Sequence, residues 1–185
     1  MSLRVVRAIG AVERSDDFHV GRLLLLLRAA GGRTGTKPIA GIMKLAKMDF
    51  LLRYPNCLAR VLRATGGNVA DAAIKPHERD TIEAKMVRFR YGPWDERYRR
   101  WIGLMVARGL SSTYAKGRTV YVCLTGRGRE VADELGALGE FADLRRRGKL
   151  IADSVGAMSA TGLKDFVYKQ FPELLDMRWG EEIEL

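Results

Sequence analysis

The sequence predicts a mainly α-helical α+β protein with a small β-hairpin wing, in which a winged-helix-type core carries additional helices at both ends. Apolar residues recur at helical spacing over most of the 185 residues. One stretch, 110–124, alternates instead as two short strands about Lys116-Gly117. Helical pattern stands directly before and after that hairpin, and helix, strand, basic turn, strand, helix is the order of a winged helix.

From the start of the chain, residues 1–15 have weak periodicity and read as a short strand or an ordered arm. Asp16 or Asp17 N-caps a helix to about Ala30, which Gly31-Gly32 ends. Leu23, Leu26, Leu27 and Ala30 form one face, and Leu24 and Leu25 widen it, so this helix is buried on most sides. Pro38 suits the first position of a second helix. Ile39, Met43, Ala46 and Phe50 give it an inner stripe, flanked by Ile42, Leu45 and Leu52, and it ends near Arg53 because Tyr54 precedes Pro55. A third helix over 55–64 buries Leu58, Val61 and Leu62. Residues 66–84 are polar and read as a connecting loop or short irregular helix.

The segment from Met86 to Tyr91 alternates apolar and basic residues as a short strand does, and Gly92-Pro93 breaks it. A helix then runs from Pro93 or Trp94 to about Arg108, burying Tyr98, Trp101, Ile102, Met105 and Val106, with Gly109 as C-cap. After the hairpin, Thr125 N-caps a helix to about Ala137 with Val131, Leu135 and Leu138 inward. Further helices cover about 141–155 and, from Ser159 or Thr161, reach Gln170. The expected organisation is an N-terminal helical part (1–65), the connecting loop (66–84), the winged-helix segment (85–140), and C-terminal helices with an acidic tail (141–185), all in one compact unit.

Hydrophobic residues make up 47% of the chain, enough for a core, and the formal net charge is +10. That balance favours an acidic partner: nucleic acid, an acidic protein surface or anionic lipid. Cys57 and Cys123 stand far apart and outside any ligand-like spacing, which argues against a disulfide framework or zinc site and suits small core residues in a reducing cytoplasm. Met1 to Val12 lacks the apolar run of a signal peptide. The run Leu23–Leu27 is far shorter than the roughly 20 residues that cross a bilayer, so no membrane partner is expected.

Catalytic patterns are not found. The Gly31–Lys37 loop fails as a P-loop, since Thr36-Lys37 is followed by Pro38 and no strand precedes it. His19 and His77 lie in no metal-binding spacing and read as one helix cap and one loop residue. Asp16-Asp17 and Glu181-Glu182 read as a cap and an acidic tail rather than paired catalytic carboxylates, and there is no GxSxG. The expectation is a binding protein with no catalytic residue, metal or cofactor. Residues 85–118 hold nine bases and two acids. Arg97, Arg100 and Arg108 fall near one line of the helix, with Lys116 and Arg118 at the wing. The candidate DNA contacts are Arg88, Arg90, Arg97, Arg100, Lys116 and Arg118. The same surface also suits an acidic protein partner. Arg145-Arg146-Arg147 reads as a solvated face.

Three blocks carry a resemblance: residues 44–55 (KLAKMDFLLRYP), residues 87–95 (VRFRYGPWD), and residues 163–168 (LKDFVY) with Phe171-Pro172; Gly180-Glu181-Glu182-Ile183 also fits. Together they resemble the small middle component of bacterial three-component ABC-ATPase systems of the Lamassu antiphage type. The resemblance implies two protein partners, an SMC-like ABC ATPase with a coiled coil and an effector subunit of nuclease type, with double-stranded DNA as a further partner. The chain would then be an accessory subunit bridging ATPase and effector in an antiphage defence complex. Large aromatics near these blocks are mostly core, and any exposed ones would anchor the interface; Tyr54, Trp94, Phe166 and Tyr168 are the candidates. The alternative is a stand-alone winged-helix transcriptional regulator, a symmetric dimer on a palindromic site.

Overall fold

The structure, a computed structural model, describes residues 15–79 and 85–185. Apart from Ser15, the arm expected over 1–15 lies outside them. Helix α1 (Asp16–Ala30) is the central element, buried without a break from His19 to Leu27 as its leucine run requires. It packs against the later helices α4, α5 and α6, introduced below. Its N-cap is Ser15, not Asp16 or Asp17. Asp16 instead accepts a 3.0 Å hydrogen bond from Trp101 Nε1.

Pro38 does not start the second helix. Ile39–Ala40 form a short strand, β1, and Gly41 leads into α2 (Ile42–Arg53) and then α3 (Pro55–Thr65). Two 3-10 turns, Val69–Ala72 and Pro76–Arg79, occupy the described part of the connection. Gly92 and Pro93 also depart from expectation: they do not break a strand but form one. Strands β2 (Val87–Phe89) and β3 (Gly92–Trp94) make a hairpin in which Arg88 pairs with Pro93. Pro93 is tolerated because β3 is an edge strand. The C-terminal tail lies along the other side of β2. Arg88 N donates to Glu181 O (2.8 Å), Gly180 N to Arg88 O (2.7 Å) and Ile183 N to Met86 O (2.9 Å).

Helix α4 (Tyr98–Ala107) is therefore shorter at its start than the apolar stripe suggests. Tyr98, Trp101, Ile102 and Met105 are buried, while Val106 is 41% exposed and belongs to the outer face. The wing follows as expected, with β4 (Ser111–Lys116) and β5 (Thr119–Leu124) closed by Lys116↔Thr119. Gly117 turns the chain at φ 59°. β5 also pairs with β1, giving a three-stranded antiparallel sheet in the order β1-β5-β4. Thr125 caps α5 (Gly126–Ala137) by accepting from Gly128 N at 3.0 Å and donates to Gly109 O at 2.7 Å. A Cβ on Gly128 would collide with the Leu110 carbonyl, so only glycine lets this helix start so close to the strand. Val131 and Leu135 are half-buried, and Leu138, expected inward, is 50% exposed. Helices α6 (Ala142–Val155), α7 (Ala160–Gln170, capped by Ser159) and the single turn α8 (Glu173–Asp176) complete a mainly helical fold with small antiparallel sheets. No helix among the described residues is long and apolar enough to cross a membrane.

Candidate nucleic-acid interface

The interface rests on a buried ionic network that fixes α4 against α1 and α2. Asp49, fully buried on α2, accepts from Arg22 Nε (2.7 Å), Arg53 Nε (3.0 Å) and Tyr98 Oη (2.6 Å). Arg53 Nη1 also donates to Asp95 at 2.9 Å, just ahead of α4. His19, which sequence reasoning placed in a cap or a loop, is buried. Its Nδ1 accepts from Arg22 at 2.6 Å and its ring lies 4.4 Å from Trp101. Trp101 is flanked by the guanidinium groups of Arg22, Arg53 and Arg97. Burial opposes charge on Asp49, but the flanking Arg22 and Arg53 outweigh it and hold the carboxyl below the usual carboxylate range. Asp95 is held down in the same way, burial being outweighed by hydrogen bonds from Arg97 and the charge of Arg53. Removing one partner from such a network leaves a buried charge alone and costs about 3–5 kcal/mol.

With α4 fixed, the six candidate DNA contacts fall into three groups. Arg88 is a correction: it is only 6% exposed, donates from Nε to Leu174 O at 2.5 Å and lies over the Tyr168 ring, so it offers phosphate no surface. Arg97 and Arg100 are ion-paired. Arg97 makes two bonds to Asp95 (2.9 and 2.8 Å), and Arg100 meets Asp16 at 2.6 Å while its side chain stays 70% exposed. Arg108, on the predicted basic line, is matched by Asp17 at 2.7 Å. Arg90, Lys116 and Arg118 are exposed; Arg90 covers the Tyr91 ring at the β2–β3 turn, and the other two sit at the wing tip, where neither is ion-paired.

Sequence reasoning missed Arg99, which is exposed and not ion-paired. With Gly103, Val106 and Ala107 it forms an open strip on α4. The signal was present in the sequence: from Arg97 to Arg129 the chain has no Asp or Glu. Small residues on that strip let a large partner come close to the helix, and the surrounding cations suit phosphate.

The four candidate interface aromatics are placed inward. Tyr54 is a correction: it is 1% exposed, and its hydroxyl accepts from Met86 N (2.8 Å) and donates to Ile183 O (3.0 Å). Burial pushes its phenol up to about 12. Trp94, Phe166 and Tyr168 are half-buried and packed against the core. The exposed aromatics are others: Phe89 (43%), Tyr91 (46%), Tyr114 (49%) and Trp179 (67%). On the wing, Tyr114 stacks on Tyr121 at 4.9 Å.

Two smaller expectations also change. Cys123 is half-buried beside Ser112 on the hairpin, while Cys57 is a core residue as expected. Arg147 leaves the predicted solvated cluster: it is buried and binds the carbonyls of Ala72 and Ala73 and the carboxylate of Glu78, fixing the connecting segment to α6. No family model, curated protein or solved structure matches the chain.

Proposed function

We propose that this chain is a non-catalytic, cytoplasmic accessory subunit that binds double-stranded DNA through a winged-helix surface while held in a larger antiphage complex. The winged helix is the set α1, β1, α2, α4, β4 and β5, with residues 54–97 inserted between its second and third helices. The order β1-β5-β4 supports this assignment, because a winged helix places its first strand beside the second strand of the wing. In such a unit the third helix enters the major groove and the wing touches the backbone. Here those elements are α4, with Arg99, Gly103, Val106 and Ala107 outward, and the tip carrying Lys116 and Arg118. The observation that carries the reading is this acid-free surface, with its exposed cations at both helix and wing.

The subunit half of the reading rests on the resemblance of 44–55, 87–95 and 163–172 to the middle component of Lamassu-type systems, with an SMC-like ATPase and a nuclease-type effector as partners. The test is anisotropy with labelled duplexes of unrelated sequence at low and moderate salt, together with purification of the tagged chain from its host. Weak, sequence-independent and strongly salt-dependent binding, with a large ATPase copurifying, is the expected result. A symmetric dimer that protects one palindromic site by itself would overturn it in favour of a stand-alone regulator.

A further inference from the structure

We infer that the open face of the β2–β3 hairpin is a protein-docking site whose partner inserts an apolar side chain flanked by a carboxylate. This names the contact behind the accessory-subunit reading above and rests on it. Phe89 is 43% exposed, and its ring lies 6.3 Å from Trp94 and 6.4 Å from Trp179, itself 67% exposed. Beside these rings runs a groove of about 750 Å³, floored by Val87, Phe89 and Trp94 and edged by Glu96, Arg97 and Arg99. Clustered exposed aromatics of this kind dominate binding hot spots.

The backbone beneath them is locked. The tail is hydrogen-bonded along β2, the Tyr54 hydroxyl ties Met86 to Ile183, and Arg88 is anchored inside on Leu174. A preordered face loses little entropy on binding.

Charge selects the class of partner. Arg97 is neutralised by Asp95, and Lys85 by Glu182 and Glu184. Glu96, Glu181, Glu182 and Glu184 are all exposed around the aromatic patch, and they repel phosphate. This sets the patch apart from the acid-free stretch 97–129. The exposed cations at its rim are Arg99 and Arg90, so the fitting occupant is a protein segment with an acidic residue beside its apolar anchor.

The chain is co-expressed with the proteins encoded beside its gene, as wild type and as the double variant Phe89→Ala with Trp179→Ala. A photo-crosslinking residue is placed at 179, or at exposed position 138 as a control. Both aromatics are exposed, so the double variant keeps its melting temperature. The expected result is at least tenfold weaker assembly of the double variant, with DNA affinity of the isolated chain within twofold. The crosslink from 179, and not from 138, lands on a partner segment with Asp or Glu beside an apolar residue. Assembly at wild-type affinity overturns the docking site alone, as does a crosslink to DNA or to a second copy. If none of those proteins assembles with the chain at all, the accessory-subunit reading falls and this site with it. If Lys116→Glu with Arg118→Glu leaves DNA binding intact, the DNA surface falls while the docking site stands.

Discussion

Arg22 and Arg53 carry the same charge as Lys116 and Arg118, in opposite surroundings. The first pair is buried, shares Asp49 and flanks Trp101. The second stands exposed at the tip of a hairpin. A guanidinium enclosed by carboxylates has spent its charge on folding and adds little to the field outside. The wing cations keep theirs for an external anion. The chain's formal charge of +10 therefore overstates the folding role of some bases and understates the focus of others. The difference lies in which acids reach which bases. Asp16, Asp17, Asp49 and Asp95 each neutralise arginines near α4, and none reaches the wing.

The contrast breaks most severely at Asp49. Asp49→Ala leaves Arg22 and Arg53 buried without their shared carboxylate, and urea unfolding should show a loss of about 3–5 kcal/mol or failure to fold. The carboxyl's pKa is lowered in the fold, so its contribution is present above the unfolded value of 3.8 and is lost as pH falls through the lower folded value. Acid titration of wild-type stability should fall in that window, and a folded Asp49→Asn variant should show a flatter curve.

The opposite region should respond in binding and not in stability. Arg99→Glu, Lys116→Glu and Arg118→Glu together should weaken DNA binding by roughly 10–100-fold at low salt and flatten the log affinity–log salt slope by about three contacts' worth. The unfolding midpoint should stay put; a large drop would mean that these residues also hold the fold.

Lys47 tests burial from the other side. It is 1% exposed, its Nζ donates to Met43 O at 3.2 Å, and burial, with Lys164 nearby, pushes its pKa down to about 8. The folded state thus sheds this proton more easily than the unfolded chain, and wild-type stability should rise between pH 8 and about 10.5. Lys47→Met should stabilise the protein by about 1–3 kcal/mol at neutral pH, an advantage that shrinks through that window. The smallest effect is expected at Arg100→Ala or Arg108→Ala, where exposed pairs with Asp16 and Asp17 are worth roughly 0–1 kcal/mol by chemical denaturation.

Helix α1 was legible because Leu23–Leu27 can only be buried, and the wing because its glycine turn separates two alternating runs. Strand β1 was not: two residues carry no period, and its partner in β5 lies about eighty residues away. At Met86–Phe89 alternation did define two faces, but composition misassigned them. Met86 and Arg88 point inward, where Leu174 and Tyr168 receive the arginine, and Phe89 points out. A period of two says which residues share a side, and only the tail lying across β2 decides which side is inside. The ion-paired state of Arg97 and Arg100 was hidden for the same reason, since Asp16 is brought to Arg100 and Trp101 by packing of α1 on α4.

The tryptophans stand at three depths: Trp101 fully buried, Trp94 half-buried and Trp179 67% exposed. This grading gives the protein its own optical gauge. Trp179 should emit red-shifted light open to collisional quenchers, and a docked protein should shift that light to the blue and shield it. Trp101, enclosed by His19 and three guanidinium groups, should answer only when the helices come apart. One emission spectrum would then separate occupancy of the hairpin face from integrity of the ionic centre.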